Sequence, residues 1–145
     1  MIEISEAKLS LVKEIAGVEF SQPYGALWGV KGFKSEFENK FAHILTALKD
    51  GKVIGFISVR AVADTAELLN LAVLPVQTKK GAASKLLDAM FNRLKNLGVK
   101  TVTLEVNETN LPAVNLYKKF GFKVIGKRGK FYNGVQDALL MKADL

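Results

Sequence analysis

Two residues in the second half of the chain, Glu105 and Tyr117, have side chains that could move a proton. Glu105 stands near the end of 99–106, a run of mostly β-branched residues that is typical of a strand. A carboxylate there is costly unless it is solvated, paired with a cation or used in chemistry. Tyr117 falls on the inward face of the next predicted helix, although a tyrosine at such a position, taken alone, more commonly packs in a core. A proton acceptor and a phenol could therefore converge at the strand ends.

A second chemical feature is the segment 67–87, ELLNLAVLPVQTKKGAASKLL. Its apolar run has the length of a strand and suits one that is buried on both faces. The run breaks at Pro75, continues as a basic loop ending at Gly81, and enters an amphipathic helix. The first N–H groups of a helix and its positive dipole end attract anions, and glycine lets the backbone approach them. The segment therefore predicts a site for a phosphate-bearing ligand.

Composition narrows the classes of protein and of site. With 145 residues, 49% of them hydrophobic and 24% charged, the chain predicts one soluble domain over 1–145. The absence of cysteine excludes disulfides, thiolate metal sites and a cysteine nucleophile. His43 is the one histidine, so a multi-histidine metal site is excluded, and no metal is expected. The chain has neither an apolar run of membrane-spanning length nor a signal-peptide pattern at its start, so we expect a cytoplasmic protein without a membrane partner.

The elements that must position these residues follow from apolar periodicity and turn signals. Strands are expected over 1–5, 41–49, 52–61, 67–74, 99–106, 122–130 and 135–145, and helices over 6–18, from Gly81 to Gly98 and over 110–120. Asp50-Gly51 and Asn133-Gly134 are hairpin signals, and another tight connection is expected at 63–65. The strand–helix–strand order predicts a right-handed crossover and one parallel strand pair within a mixed sheet.

The segment 21–33, SQPYGALWGVKGF, is rich in glycine and aromatic residues and is predicted to be a loop or a broken helix. A short helical turn is expected after it, at 35–40. Tyr24, Trp28 and Phe33 either line a substrate groove or, as is commoner for aromatics in loops, hold the segment on the core.

In order and spacing, these features resemble the GCN5-related N-acetyltransferase (GNAT) superfamily, in particular its ribosomal-protein-alanine N-acetyltransferases. The signs are LLNLAVLP, TVTLEV, Asn110, NLYKKFGF, GKFY at 129–132 and DALLM at 137–141. The resemblance covers residue 52 to the C-terminus. It implies an α/β (α+β) GNAT fold, with a single mixed, mostly antiparallel sheet of six to seven strands and about four helices.

The resemblance also implies roles for individual residues, with acetyl-CoA as the cosubstrate. Glu105 falls on the general base of the family and Tyr117 on its general acid. The backbone of Leu71, Ala72 and Val73 would bind the acetyl end and the pantetheine arm, and Asn110 would contact the cofactor. The pyrophosphate loop, Gln/Arg-x-x-Gly-x-Gly/Ala, and the helix start after it fall on Thr78, Lys79, Lys80, Gly81, Ala82, Ala83 and Ser84. Thr78 replaces the usual Gln or Arg, and the lysines at 79 and 80 can supply compensating charge.

Amine acetylation requires the amine to be neutral when it attacks the thioester. At about pH 7.5, roughly a quarter of α-amines but only about 0.1% of lysines are unprotonated, a difference of about 3 kcal/mol. An N-terminal α-amine is therefore the easier acceptor for a carboxylate base. Without a cysteine to carry the acyl group, direct transfer in a ternary complex is the simplest scheme.

Two alternatives to a protein N-terminal acetyltransferase stay open. The first is an acetyltransferase for a small amine such as a polyamine, an amino acid or an antibiotic, because a fold does not fix its acceptor. The second, less favoured, is a non-catalytic basic module that binds nucleic acid. It draws on the net charge of +7 and on the basic residues Lys118, Lys119, Lys123, Lys127, Arg128 and Lys130.

Overall fold

The computed structural model describes residues 1–23, 27–78, 80–132 and 136–145, and at 130–132 and 136 it describes the backbone alone. These residues form seven strands and four α-helices. The strands are β1 (Ile2–Glu6), β2 (Ala42–Lys49), β3 (Lys52–Val62), β4 (Thr65–Val73), β5 (Thr101–Asn107), β6 (Lys123–Tyr132) and β7 (Gln136–Asp144). The helices are α1 (Val12–Phe20), α2 (Gly29–Phe37), α3 (Ala82–Asn96) and α4 (Leu111–Lys119).

One mixed sheet organises these elements, in the strand order β1-β2-β3-β4-β5-β7-β6. The β4–β5 pair is parallel, and the other pairs in the described sheet are antiparallel. The mixed, mostly antiparallel sheet and the parallel pair predicted from the strand–helix–strand order are confirmed. None of the helices in the described ranges is long and apolar enough to cross a membrane.

Two tight turns join the strands of the first half. Asp50 and Gly51 connect β2 to β3 with φ angles of 52° and 77°, as expected of a hairpin turn in which both central residues have positive φ. Ala63 (φ 54°) and Asp64 connect β3 to β4. Both turns were predicted. The third hairpin signal, Asn133-Gly134, lies outside the described residues.

The helices cover opposite faces of the sheet. On one face, α3 buries Leu86, Leu87, Met90 and Leu94 in the larger core, which also contains Tyr117 of α4. On the other face, Ile15 and Val18 of α1 and Phe33 of α2 pack against Phe56 of β3. The sheet therefore separates an α3/α4 face from an α1/α2 face.

The prediction of a loop or broken helix through residue 33 was wrong for 29–33, which form the first half of α2. Gly32 disfavours a helix locally, but tertiary contacts outweigh that preference. Gly29 begins the helix with φ of 67°, in the left-handed region that glycine tolerates. The buried carboxylate of Glu19 accepts hydrogen bonds from the N–H groups of Trp28 (2.9 Å) and Gly29 (3.0 Å). Phe33 is fully buried, with its ring 5.2 Å from that of Phe56. Tyr24 lies outside the described residues.

Candidate active site

The two central strands separate halfway along their length. β4 pairs with β5 only between Thr65–Leu68 and Thr101–Leu104 in the described sheet. Leu69 is an extra residue in β4, because Ser58 of β3 is opposite Asn70 and Val59 is opposite Leu68. Such a β-bulge bends its strand and is frequent beside active sites. Beyond it, residues 69–73 border an opening in the sheet. The expectation that β4 is buried on both faces therefore fails at 69–71, which are half-buried.

The open edge of β4 presents backbone groups to this gap. The N–H of Leu74 donates to the carbonyl of Ile54 on β3 at 2.8 Å. Since successive residues of a strand direct their N–H and C=O groups to opposite sides, the groups of Ala72 also point to β3. Those of Leu71 and Val73 point into the gap. An extended ligand carrying amides could pair with this edge as an added strand would.

A cavity of about 490 Å³ continues from the gap to the start of α3. This volume is in the range usual for sites that bind small molecules and cofactors. Ten of the predicted site residues line it: Leu71, Ala72, Val73, Thr78, Gly81, Ala82, Ala83, Ser84, Asn110 and Tyr117. Lys80 and Glu105 are not among its described lining residues, and Lys79 lies outside the described part of the chain.

The start of α3 forms one end of the cavity. Gly81 precedes the helix with φ of 88°, in the left-handed region that glycine tolerates, and it has no side chain to cap the helix. Ala82, Ala83 and Ser84 form the first turn of the helix, and their N–H groups have no acceptors inside the helix. These donors and the helix dipole favour an anionic group at this end.

Thr78 stands where the family pattern has Gln or Arg, and its short side chain is directed to a neighbouring carbonyl. It is exposed, and its hydroxyl donates to the carbonyl of Pro75 at 2.9 Å. Lys119 lines the cavity from α4, and Gln77 lines it from the segment before the loop. Neither residue was predicted from the sequence to belong to the site. For Lys119, nothing in the local pattern indicates that α4 faces the loop at this residue.

The helix α4 places Tyr117 in the cavity. Asn110 caps this helix, since its Oδ1 accepts a hydrogen bond from the N–H of Ala113 at 3.4 Å. Tyr117 is only 6% exposed, and its ring packs against Phe122 at a centroid distance of 5.6 Å. The residue is therefore both part of the core and part of the cavity wall, which combines the two roles left open by the sequence.

Glu105 lies on the opposite face of the sheet. Alternate residues of β5, namely Val102, Leu104 and Val106, are buried in the α3/α4 core, so Glu105 points to the other face. Its Oε1 lies 2.8 Å from a guanidinium nitrogen of Arg128 on β6, and the side chain is 28% exposed. Tyr117 and Glu105 thus do not share the cavity. They lie on either face of the sheet, beside the gap between β4 and β5.

Two of the basic residues considered for nucleic-acid binding are paired with carboxylates. Arg128 contacts Glu105, and Nζ of Lys127 lies 3.0 Å from Glu108 and 3.5 Å from Asp137. The hydrogen bond to Glu108 is the main cause that raises the pKa of Lys127. These pairs neutralise part of the basic segment, which weakens the case for a nucleic-acid surface there.

The comparisons with known proteins agree with this geometry. The model of the acetyltransferase (GNAT) family matches residues 11–122. A protein of Bacillus subtilis (strain 168) is 35% identical over 133 residues, which is 90% of this chain and 85% of its own length. It is named, provisionally, as a ribosomal protein bS18-alanine N-acetyltransferase.

Solved structures share the fold. The ribosomal-protein-S18-alanine N-acetyltransferase from Escherichia coli is 28% identical, with a TM-score of 0.91 over 99% of this chain and 94% of its own. The PaiA N-acetyltransferase from Thermoplasma acidophilum, solved in complex with coenzyme A, is 24% identical, with a TM-score of 0.82 over 100% of this chain and 99% of its own. The family match, the 35% identical relative and the GNAT fold agree, and the chain belongs to the GNAT family of acetyltransferases.

Proposed function

We propose that this protein is an acetyl-CoA-dependent N-acetyltransferase whose acceptor is the α-amine of a protein N-terminus, of the ribosomal-protein-alanine type. The observation that carries the proposal is the cavity that joins the start of α3 to the gap between β4 and β5, with Tyr117 in its wall. The names of the B. subtilis and E. coli relatives support the choice of acceptor.

The two ends of the cavity match the two ends of acetyl-CoA. The N–H groups of Ala82, Ala83 and Ser84 suit the pyrophosphate. The edge of β4 at Leu71 and Val73 suits the amides of the pantetheine arm, which leaves the thioester at the gap beside Tyr117. We place the donor on the α3/α4 face for this reason.

The acceptor amine then approaches from the face that carries Glu105. The carboxylate accepts a proton from the amine, directly or through a water, and the neutral nitrogen attacks the thioester carbonyl. The attack forms the C–N bond, and the C–S bond breaks as the carbonyl group forms again. The phenol of Tyr117 gives a proton to the leaving thiolate, and the nitrogen releases its remaining extra proton, which restores the phenol through solvent. The amide and free CoA are the products, and no covalent acyl-enzyme is needed.

The proposed enzyme is a single domain that acts in the cytoplasm. We treat residues 1–145 as one catalytic domain, because α3 and α4 pack on one face of a single sheet and α1 and α2 pack on the other. We place the enzyme in the cytoplasm, where ribosomal proteins and acetyl-CoA are both present.

Thiol release from acetyl-CoA, measured across a panel of acceptors, tests this function. The panel contains peptides with N-terminal alanine, the same peptides with a blocked α-amine, free lysine, and small amines. We expect turnover with the unblocked peptides and none with the blocked ones. Activity confined to small amines would replace the protein acceptor by the small-amine alternative. If no acceptor gives release and CoA does not raise the melting temperature, the assignment as an enzyme is wrong.

Lys119 should help to bind the phosphates, which gives a further prediction. Replacing it by glutamine should raise the KM for acetyl-CoA about 3-fold, because a cation at the cavity wall attracts the anionic donor. Lys118→Gln is the matched control: it removes the same charge from an exposed neighbour that is not among the described lining residues. Steady-state kinetics at two salt concentrations would compare them. An equal change of this KM in both variants would show that the effect comes from net charge alone and not from the position of Lys119.

A further inference from the structure

Gln22, just beyond the end of α1, is bound to the open edge of β4. Its Nε2 donates to the carbonyl oxygen of Val73 at 2.8 Å, across 51 positions of sequence. The same nitrogen lies 2.9 Å from the hydroxyl of Ser21 and 3.4 Å from the carbonyl of Val18. Because both carbonyls can only accept hydrogen bonds, the carboxamide must present its nitrogen to them and not its oxygen.

This arrangement changes what the edge of β4 offers to a ligand. The carbonyl of Val73 is one of the groups directed into the gap, and Gln22 already occupies it. The N–H and C=O of Leu71 and the N–H of Val73 are directed there as well. The Oε1 of Gln22 accepts no hydrogen bond from the described residues, and Gln22 lines the cavity. At this position the acceptor available to a ligand is therefore Oε1 of Gln22 and not the carbonyl oxygen of Val73.

We propose that Gln22 is a binding residue for the acetyl donor, and that its Oε1 accepts a hydrogen bond from an amide N–H of the pantetheine arm. This inference rests on the proposed function. The side chain is held in advance by its hydrogen bonds to Val73 and Ser21, so little conformational entropy is lost when the ligand binds.

The position along β4 indicates which amide is bound. The pantetheine arm has two amides, one next to the cysteamine that carries the thiol and one further toward the phosphates. Val73 is the last residue of β4, followed by the segment that leads to the phosphate end at α3. Gln22 therefore receives the amide on the phosphate side, and Leu71 receives the amide nearer the thioester.

Gln22→Met tests the assignment, because methionine keeps the length of the side chain and removes both hydrogen-bonding functions. Acetyl-pantetheine contains both amides and no pyrophosphate, whereas S-acetyl-N-acetylcysteamine contains only the amide nearer the sulfur. We expect kcat/KM to fall about 5- to 10-fold for acetyl-CoA and for acetyl-pantetheine, the usual effect of losing one hydrogen bond. It should change less than 2-fold for S-acetyl-N-acetylcysteamine, and so should the Kd of 3′,5′-ADP.

Gln22→Glu provides a second variant, since it keeps the size of the side chain but faces two carbonyls with a carboxylate. It should lower kcat/KM for acetyl-pantetheine at least as strongly as Gln22→Met does, and the Kd of 3′,5′-ADP should again be unaffected. An equal loss for all ligands would reduce Gln22 to a structural support of β4, and unchanged kinetics in both variants would also overturn the inference. Wild-type turnover is measured alongside, so the absence of any transfer would refute the proposed function itself.

Discussion

Replacing Glu105 by glutamine should lower kcat about 100-fold at pH 7.5, while the Kd of CoA stays nearly unchanged. A general base typically contributes a factor of about 10² to 10⁴. The amide oxygen of glutamine can still accept a hydrogen bond from Arg128, which lies 2.8 Å from the carboxylate in the wild type. Glu105 is also outside the described lining of the cofactor cavity. The substitution therefore removes basicity with little change in packing or donor binding.

The pH dependence separates loss of a base from a general loss of activity. Without Glu105, the acceptor must lose its proton to solvent before it attacks. The rate of Glu105→Gln should therefore rise with pH up to the pKa of the α-amine, near 8. The deficit relative to wild type should narrow over the same interval. Wild-type rates in the variant, or a deficit that stays constant with pH, would remove Glu105 from the role of base.

Replacing Tyr117 by phenylalanine should also lower kcat, by about 100-fold, through the loss of the phenol that protonates the thiolate. The ring is 6% exposed and packs against Phe122, and phenylalanine keeps this packing. The fold and the cavity should therefore persist, and circular dichroism with CoA titration would verify both. The defect should appear in kcat more than in the KM for acetyl-CoA.

A better leaving group provides the control for Tyr117. If the thiol of the donor is much more acidic than that of CoA, its thiolate can leave without receiving a proton. The difference in kcat between Tyr117→Phe and wild type should therefore shrink with such a donor. Raising the pH should not restore this variant, in contrast to Glu105→Gln. A defect that is the same for acidic and ordinary leaving groups would assign Tyr117 to packing only.

Local patterns were sufficient for the elements around the site. Alternation along β5 is enough to place Glu105 on the face opposite Val102 and Leu104, because side chains of a strand alternate whatever its partners are. The glycines at 81 and 98 correctly bounded α3. Asn110 is a residue type that favours helix N-caps, and it caps α4. Each of these features depends on a few neighbouring residues.

Features that depend on distant contacts were not predictable from one sequence. The bulge at Leu69 has no signal within LLNLAVL, yet it coincides with the point where β4 and β5 separate. The helix α2 forms in spite of Gly32 in its interior, because Glu19 binds its first N–H groups. The contacts of Gln22 with Val73 and of Glu105 with Arg128 join different elements, so their residue types alone did not indicate them.

The most direct test of the account uses one peptide that carries both kinds of amine. A peptide with N-terminal alanine and an internal lysine is incubated with the protein and isotopically labelled acetyl-CoA, and tandem mass spectrometry locates the label. We predict one acetyl group on the α-amine and an unmodified lysine, because the α-amine is neutral far more often at pH 7.5. Label on the lysine side chain, or no label on the peptide while small amines are acetylated, would contradict the account.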